Sequence, residues 1–93
     1  MGTLKVFKYE VDFTAKEISL PKGAKVLHAD VQQSNFGNGI YIWALVNPNE
    51  GSKESRFFYA CPTGGLVYND SDVYIGSAQT KEGFMFHVFE CFE

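Results

Sequence analysis

Four side chains, His28, Cys61, His87 and Cys91, are soft enough to ligate zinc, and four is the number a closed zinc site needs. Their spacing does not suit one. No Cys-x-x-Cys or His-x-x-x-His pair occurs, and His87 and Cys91 stand four residues apart in a segment that reads as extended. At the rise of a strand, that separates them by about 13 Å, too far to share an ion. The expectation is two strand histidines, two small thiols packed as hydrophobes, and no metal site. Nucleophilic chemistry fares no better. Cys61, His87 and Asp30 form a Cys-His-Asp set on paper, but any small protein contains such a trio, and no Gly-x-Ser-x-Gly elbow is present. The eleven carboxylates are scattered over loops and outward strand positions. Neither a catalytic residue nor a cofactor is expected, and the protein reads as non-enzymatic.

A binding site is the better prospect. The segment Pro62 to Asp72 (PTGGLVYNDSD) is the longest irregular stretch, and functional groups are commonly set on such loops over a rigid sheet. Thr63-Gly64-Gly65 offers backbone amides that could approach an anion. It lacks the Gly-Lys-Ser/Thr of a P-loop and no helix follows it, so a turn between strands accounts for the two glycines as well. Tyr68 supplies a stacking ring, Asn69 and its neighbours supply hydrogen-bonding groups, and Arg56 is the only arginine in the chain. The ligand-binding set expected from sequence is Arg56, Tyr59, Thr63, Gly64, Gly65, Tyr68 and Asn69.

Strands must position these groups, because period-two alternation dominates and no segment keeps a helical repeat for three turns. Strands are expected at Leu4–Phe13, Lys16–Leu20, Lys25–Gln33, Ile40–Val46, Glu54–Cys61, Val73–Gln79 and Phe84–Phe92. In the first, Phe7, Tyr9, Val11 and Phe13 share a face. In the third, Leu27, Ala29 and Val31 alternate with His28, Asp30 and Gln32. Glu54–Cys61 sets Phe57, Tyr59 and Cys61 against Arg56, Phe58 and Ala60. Ile40–Val46 (IYIWALV) is apolar on both faces and reads as a central strand covered on both sides. Turns are expected at Pro21-Lys22-Gly23, at Ser34–Gly39 with Asn38-Gly39 as hairpin signal, at Asn47–Gly51, and at Thr80–Gly83. The fold class is all-β and predominantly antiparallel, a small sandwich or partly open barrel of about seven strands with little helix.

The 93 residues suit a single β domain spanning 1–93. Hydrophobic residues make up 45% and aromatic ones 16%, more ring surface than one small core needs, so a homo-oligomer or an aromatic binding surface is expected. A net charge of −3 and no basic run argue against wrapping a long nucleic acid, while one small phosphate-bearing nucleotide needs few cations. Two cysteines are too few for a disulfide framework, and reduced buried thiols are expected. The opening MGTLKVFKYEVDF has no apolar core of a signal peptide, and no stretch approaches the ~20 residues that span a membrane. A soluble intracellular protein, making no membrane contact, is expected.

The motifs Phe7-Lys8-Tyr9, Pro21-Lys22-Gly23-Ala24-Lys25-Val26-Leu27, Trp43-Ala44-Leu45-Val46-Asn47-Pro48, Tyr74-Ile75-Gly76 and His87-Val88-Phe89-Glu90 run through most of the chain. Together they resemble a family of small tailed-phage and prophage proteins with WALV(D/N)P, YIG and HVFE motifs. The chain departs from that pattern with Asn47 for the usual Asp, Phe86 for the usual Trp, and a longer insertion around Ser34–Asn38. The resemblance implies a phage accessory protein in the cytoplasm of an infected bacterium. By analogy of context it implies a binding protein that counters host defence, sequestering a signalling nucleotide of the cyclic oligonucleotide or cyclic ADP-ribose type. The alternatives are a protein-binding inhibitor of a bacterial enzyme and a virion or assembly component.

Overall fold

A computed structural model describes residues 3–34 and 37–92. Among these residues seven strands form: β1 (Lys5–Val11), β2 (Lys16–Pro21), β3 (Lys25–Ser34), β4 (Gly37–Val46), β5 (Lys53–Pro62), β6 (Val73–Gln79) and β7 (Met85–Glu90). All strand pairings are antiparallel, in a three-stranded sheet of order β1-β4-β3 and a four-stranded sheet of order β2-β5-β7-β6. The all-β class and the number of strands are those expected. No helix among the described residues is long and apolar enough to cross a membrane.

The inward side chains of both sheets meet in one core. Val11, Ile18, Leu20, Ala29, Ile40, Ile42, Phe58, Ala60 and Val88 are buried together there. Alternation produces this directly, since residues i and i+2 of a strand share a face and one face of each sheet must leave water. Three of the expected turns close with a backbone hydrogen bond, Ala24 N–H to Pro21 O, Glu50 N–H to Asn47 O and Gly83 N–H to Thr80 O.

Three expectations are corrected. The β3–β4 reversal falls within Ser34–Gly39, but Asn38 and Gly39 lie in the ladder opposite Gln33 and Gln32. The ladder runs on to Ser34 and Gly37, and Asn35 and Phe36 lie outside the described residues. Second, a bulge between Val26 and His28 turns Leu27 outward, where it is 47% exposed, and gives its inward place to Val26. One extra residue reverses the alternation on its far side. Third, Ile40–Val46 is covered on one face. Ile40, Ile42, Ala44 and Val46 are buried, whereas Tyr41, Trp43 and Leu45 are half-buried. Lys8 and His28 lie beside those outer rings, with Lys8 Nζ 4.8 Å from the Tyr41 centroid and the His28 and Trp43 rings 5.8 Å apart.

The bulge is testable by two neighbouring substitutions. In urea unfolding, Val26→Asp is expected to lower stability by about 2 kcal/mol or more, because it places a charge against the core. Leu27→Asp should stay within about 0.5 kcal/mol of the parent, as an exposed position does.

Candidate functional site

β5 is an interior strand of the four-stranded sheet, and its residues alternate as expected. Phe58 and Ala60 enter the core, while Tyr59 points to the opposite face; Phe58 and Tyr59 are both fully buried. β5 is therefore the strand covered on both sides.

Arg56 lies on the inward parity of β5, two residues before Phe58, and its guanidinium carbon is 5.7 Å from the Phe58 centroid. It donates from Nε to Glu90 Oε2 at 2.6 Å and from Nη2 to Glu90 Oε1 at 2.8 Å. A third bond, from Nη1 to the Ala24 carbonyl at 2.6 Å, reaches the entry to β3 in the other sheet. Glu54 stands 3.8 Å away. The Glu90 side chain is 6% exposed and that of Arg56 19%, so this bidentate pair is largely out of water. Its hydrogen-bonded carboxylate holds the Arg56 guanidinium above its ordinary value, against the opposing effect of burial.

The outer face of β5 is covered by the loop that follows it. A turn opens that loop, with Gly65 N–H donating to Pro62 O at 2.8 Å and Gly64 at φ +85°. A Cβ on Gly65 would come within 2.9 Å of that same carbonyl. The turn thus accounts for both glycines, and the Gly65 amide is already engaged. Further along, Tyr68 packs edge-on to Tyr59 at 4.5 Å between centroids, and Phe89 stacks at 5.6 Å. The Tyr59 hydroxyl donates to Asp72 Oδ2 at 2.6 Å and accepts the Tyr68 amide at 3.2 Å. Asp72 also receives the Phe92 amide, and Ser71 Oγ donates to the Phe92 carbonyl. Burial, with the Asp72 bond adding to it and the Tyr68 amide opposing, raises the Tyr59 hydroxyl far above its ordinary value.

Nearby, His87 is held through both ring nitrogens, by Thr63 Oγ1 and the Tyr74 hydroxyl, each at 2.8 Å. Cys61 is its cross-strand neighbour, and burial pushes the Cys61 thiol up, which disfavours the nucleophilic thiolate. Cys61 is not part of a disulfide. Among the described residues no three His, Cys, Asp or Glu side chains converge as a metal site would require.

Beyond Glu90 the chain leaves the β7 ladder, and a groove of about 500 Å³ opens where it does so. Ala15, Ser55, Arg56, Phe57, Glu90, Cys91 and Phe92 line it. A second hollow of about 220 Å³ shares Ala15, Cys91 and Phe92 and adds Tyr68, Asn69 and Asp72. Of the expected set, Arg56 lines the groove, and Tyr68 and Asn69 line the hollow that adjoins it. The other four do not join them. Tyr59 is buried beneath Tyr68, and Thr63, Gly64 and Gly65 sit at the far end of the loop beside His87.

Sequence reasoning missed Phe57 and Phe92, which are 43% and 45% exposed, and the carboxylates Glu90 and Asp72. For Glu90 a signal existed. It shares the inward parity of β7 with Phe86 and Val88, as Arg56 shares that of β5 with Phe58 and Ala60. Two opposite charges on core-facing parities announce a buried pair. Phe92 is different, because the strand expected to run to it ends at Glu90.

A family model described as a domain of unknown function (DUF7352) matches residues 3–92. No curated protein and no solved structure matches the chain.

Two experiments probe this region. Glu90→Ala is expected to lower unfolding stability by about 3–5 kcal/mol, since it strands a buried guanidinium. The apolar double variant Arg56→Met/Glu90→Leu should recover more than half of that loss, as read from urea midpoints. The second concerns pH. The folded-state value of Tyr59 exceeds the unfolded 10.0, so its contribution is fully present below pH 10.0 and is lost as pH rises beyond it. The urea midpoint should fall above pH 10.0, and less steeply in Tyr59→Phe.

Proposed function

We propose that this chain, which belongs to the family described as a domain of unknown function (DUF7352), is a non-catalytic binding protein that sequesters a small signalling nucleotide. The observation that carries this reading is the groove beside Arg56, whose volume of about 500 Å³ suits a small ligand and whose mouth bears two exposed phenylalanine rings. Phe57 and Phe92 offer π faces on which any nucleobase stacks. The adjoining hollow at Tyr68, Asn69 and Asp72 presents an amide and a carboxylate to base edges and ribose hydroxyls.

The electrostatics determine which end of the nucleotide enters. The Arg56 charge is balanced by Glu90 and Glu54, and Asp72 lines the second hollow. A phosphate gains little there, so the ring end is held and the phosphates face solvent. Cyclic oligonucleotides and cyclic ADP-ribose isomers are the class that the phage-like motifs suggest. The phage-like motifs supply the context, withdrawal of a defence signal in the cytoplasm of an infected bacterium.

Thermal-shift screening against cyclic dinucleotides, cyclic trinucleotides and cyclic ADP-ribose isomers tests this, because a ligand that binds the folded state raises the melting temperature. One of them should raise it, with little dependence on salt, and Phe92→Ala should weaken that binding about tenfold through loss of a stacking surface. No shift with any of them would overturn the nucleotide reading.

A second reading has its own observation. Leu66, Val67 and Tyr68 are consecutive and exposed, Leu66 at 88%, which suits an anchor for a protein partner. On that reading the domain inhibits a bacterial enzyme directly. One stoichiometric partner should be recovered from host lysate by the parent protein and lost with Leu66→Asp.

A further inference from the structure

Four strands form the edges of the two sheets, β1 and β3 in one, β2 and β6 in the other. An unblocked edge offers a row of unpaired N–H and C=O groups to any incoming strand, and soluble proteins blunt it with prolines, bulges or charges. Three of the four carry such a device. β2 is short, opens on Lys16 and Glu17 and ends at Pro21. β3 loses register at the bulge between Val26 and His28, and β6 does so between Tyr74 and Gly76. β1 has neither proline nor bulge, and its seven residues pair one-to-one with β4.

Charge guards β1 only through Lys5 and Glu10 near its two ends. Lys8 is drawn inward across the sheet, its ammonium over the Tyr41 ring and donating to Gln32 Oε1 on β3. The exposed apolar residues at this edge are Leu4 at 56%, Val6 at 53% and Phe7 at 41%. They cluster at one end of the strand, where its backbone is also free to pair.

We infer that β1 is a homodimer interface, at which two copies pair their β1 strands antiparallel about a twofold axis at Phe7. The two three-stranded sheets then join into one six-stranded sheet. Symmetry restricts the register. A twofold axis perpendicular to the sheet keeps each face on its own side, so residues pair with partners of the same parity. An axis at Lys8 sets two ammonium groups opposite each other, which is unfavourable. An axis at Tyr9 carries Leu4 out of the ladder. The axis at Phe7 stacks Phe7 on its copy, sets Val6 opposite Lys8, Lys5 opposite Tyr9 and Leu4 opposite Glu10, and opposes no like charges. All three exposed apolar residues then lie within the pairing. A second copy suits this edge better than an unrelated strand because the pattern is self-complementary. The inference is independent of the ligand groove.

Sedimentation analysis of the whole chain should give twice the monomer mass, and Phe7→Lys should raise the dimer dissociation constant at least about tenfold by setting two charges face to face. Circular dichroism should show the same β fold, with the melting temperature lowered only by the lost dimerisation, since the position is exposed. Register is read separately by cross-linking in a Cys91→Ser background. Phe7→Cys should form an interchain disulfide on mild oxidation, because directly opposed residues lie within bridging distance, whereas Val6→Cys should not. A monomer at all concentrations, a dimer indifferent to Phe7→Lys, or cross-linking through Val6→Cys in place of Phe7→Cys would each overturn the inference. So would recovery of the chain as a monomer bound through β1 to a different protein.

Discussion

Arg56 is the chain's single arginine, and its three strong bonds tie together elements far apart in sequence. The guanidinium leaves β5, grips Glu90 at the end of β7 in the same sheet, and reaches the Ala24 carbonyl where the chain enters β3 in the other. Such a pair is a weak source of net stability, because removing two ions from water offsets most of their attraction. What it supplies is position. A planar fork with fixed donor directions is satisfied in one relative placement of the sheets, and hydrophobic contacts alone would permit many. Glu90 is the buried charged residue among those described, so any packing that separates it from Arg56 is heavily penalised.

The same strand explains where the aromatic residues go. Adjacent side chains of β5, Phe58 and Tyr59, are both fully buried on opposite faces. The inner one is covered by the other sheet, the outer one by the loop from Pro62 to Asp72. That loop is held down by a hydroxyl, a carboxylate and two backbone amides around Tyr59 and Asp72. A segment that looks free in sequence is thereby the lid of a second, smaller core. Its rim is where Tyr68 and Asn69 meet Phe92, so covering Tyr59 and shaping the hollow beside the groove are one structural act.

Much of the fold could be read from alternation, because strand periodicity is a local property written in neighbouring residues. All seven strands, and the division of β1 and β5 into two faces, were legible in this way. Leu27 was not, because a bulge depends on how β3 meets β4 and leaves no mark in β3 itself. Nor was the half-exposed outer face of β4. An apolar run shows that burial would be favourable, and it does not show whether a covering layer exists.

The candidate site divides along the same line. Arg56, Tyr68 and Asn69 stood out by residue type and loop placement, and they line two adjoining hollows. Tyr59 and the Thr63-Gly64-Gly65 turn stood out equally and lie elsewhere, since one-dimensional proximity says nothing of which side of a sheet a group faces after a turn. The sequence by itself determined an antiparallel β domain, its strands and the alternation that separates core from surface. Tertiary structure alone decided that Arg56 would be neutralised by Glu90, that β5 and not β4 would be covered twice, and that Phe57 and Phe92 would frame a groove. The first and last of these outcomes depend on pairs more than thirty residues apart, and such contacts exist only once the strands have assembled into sheets.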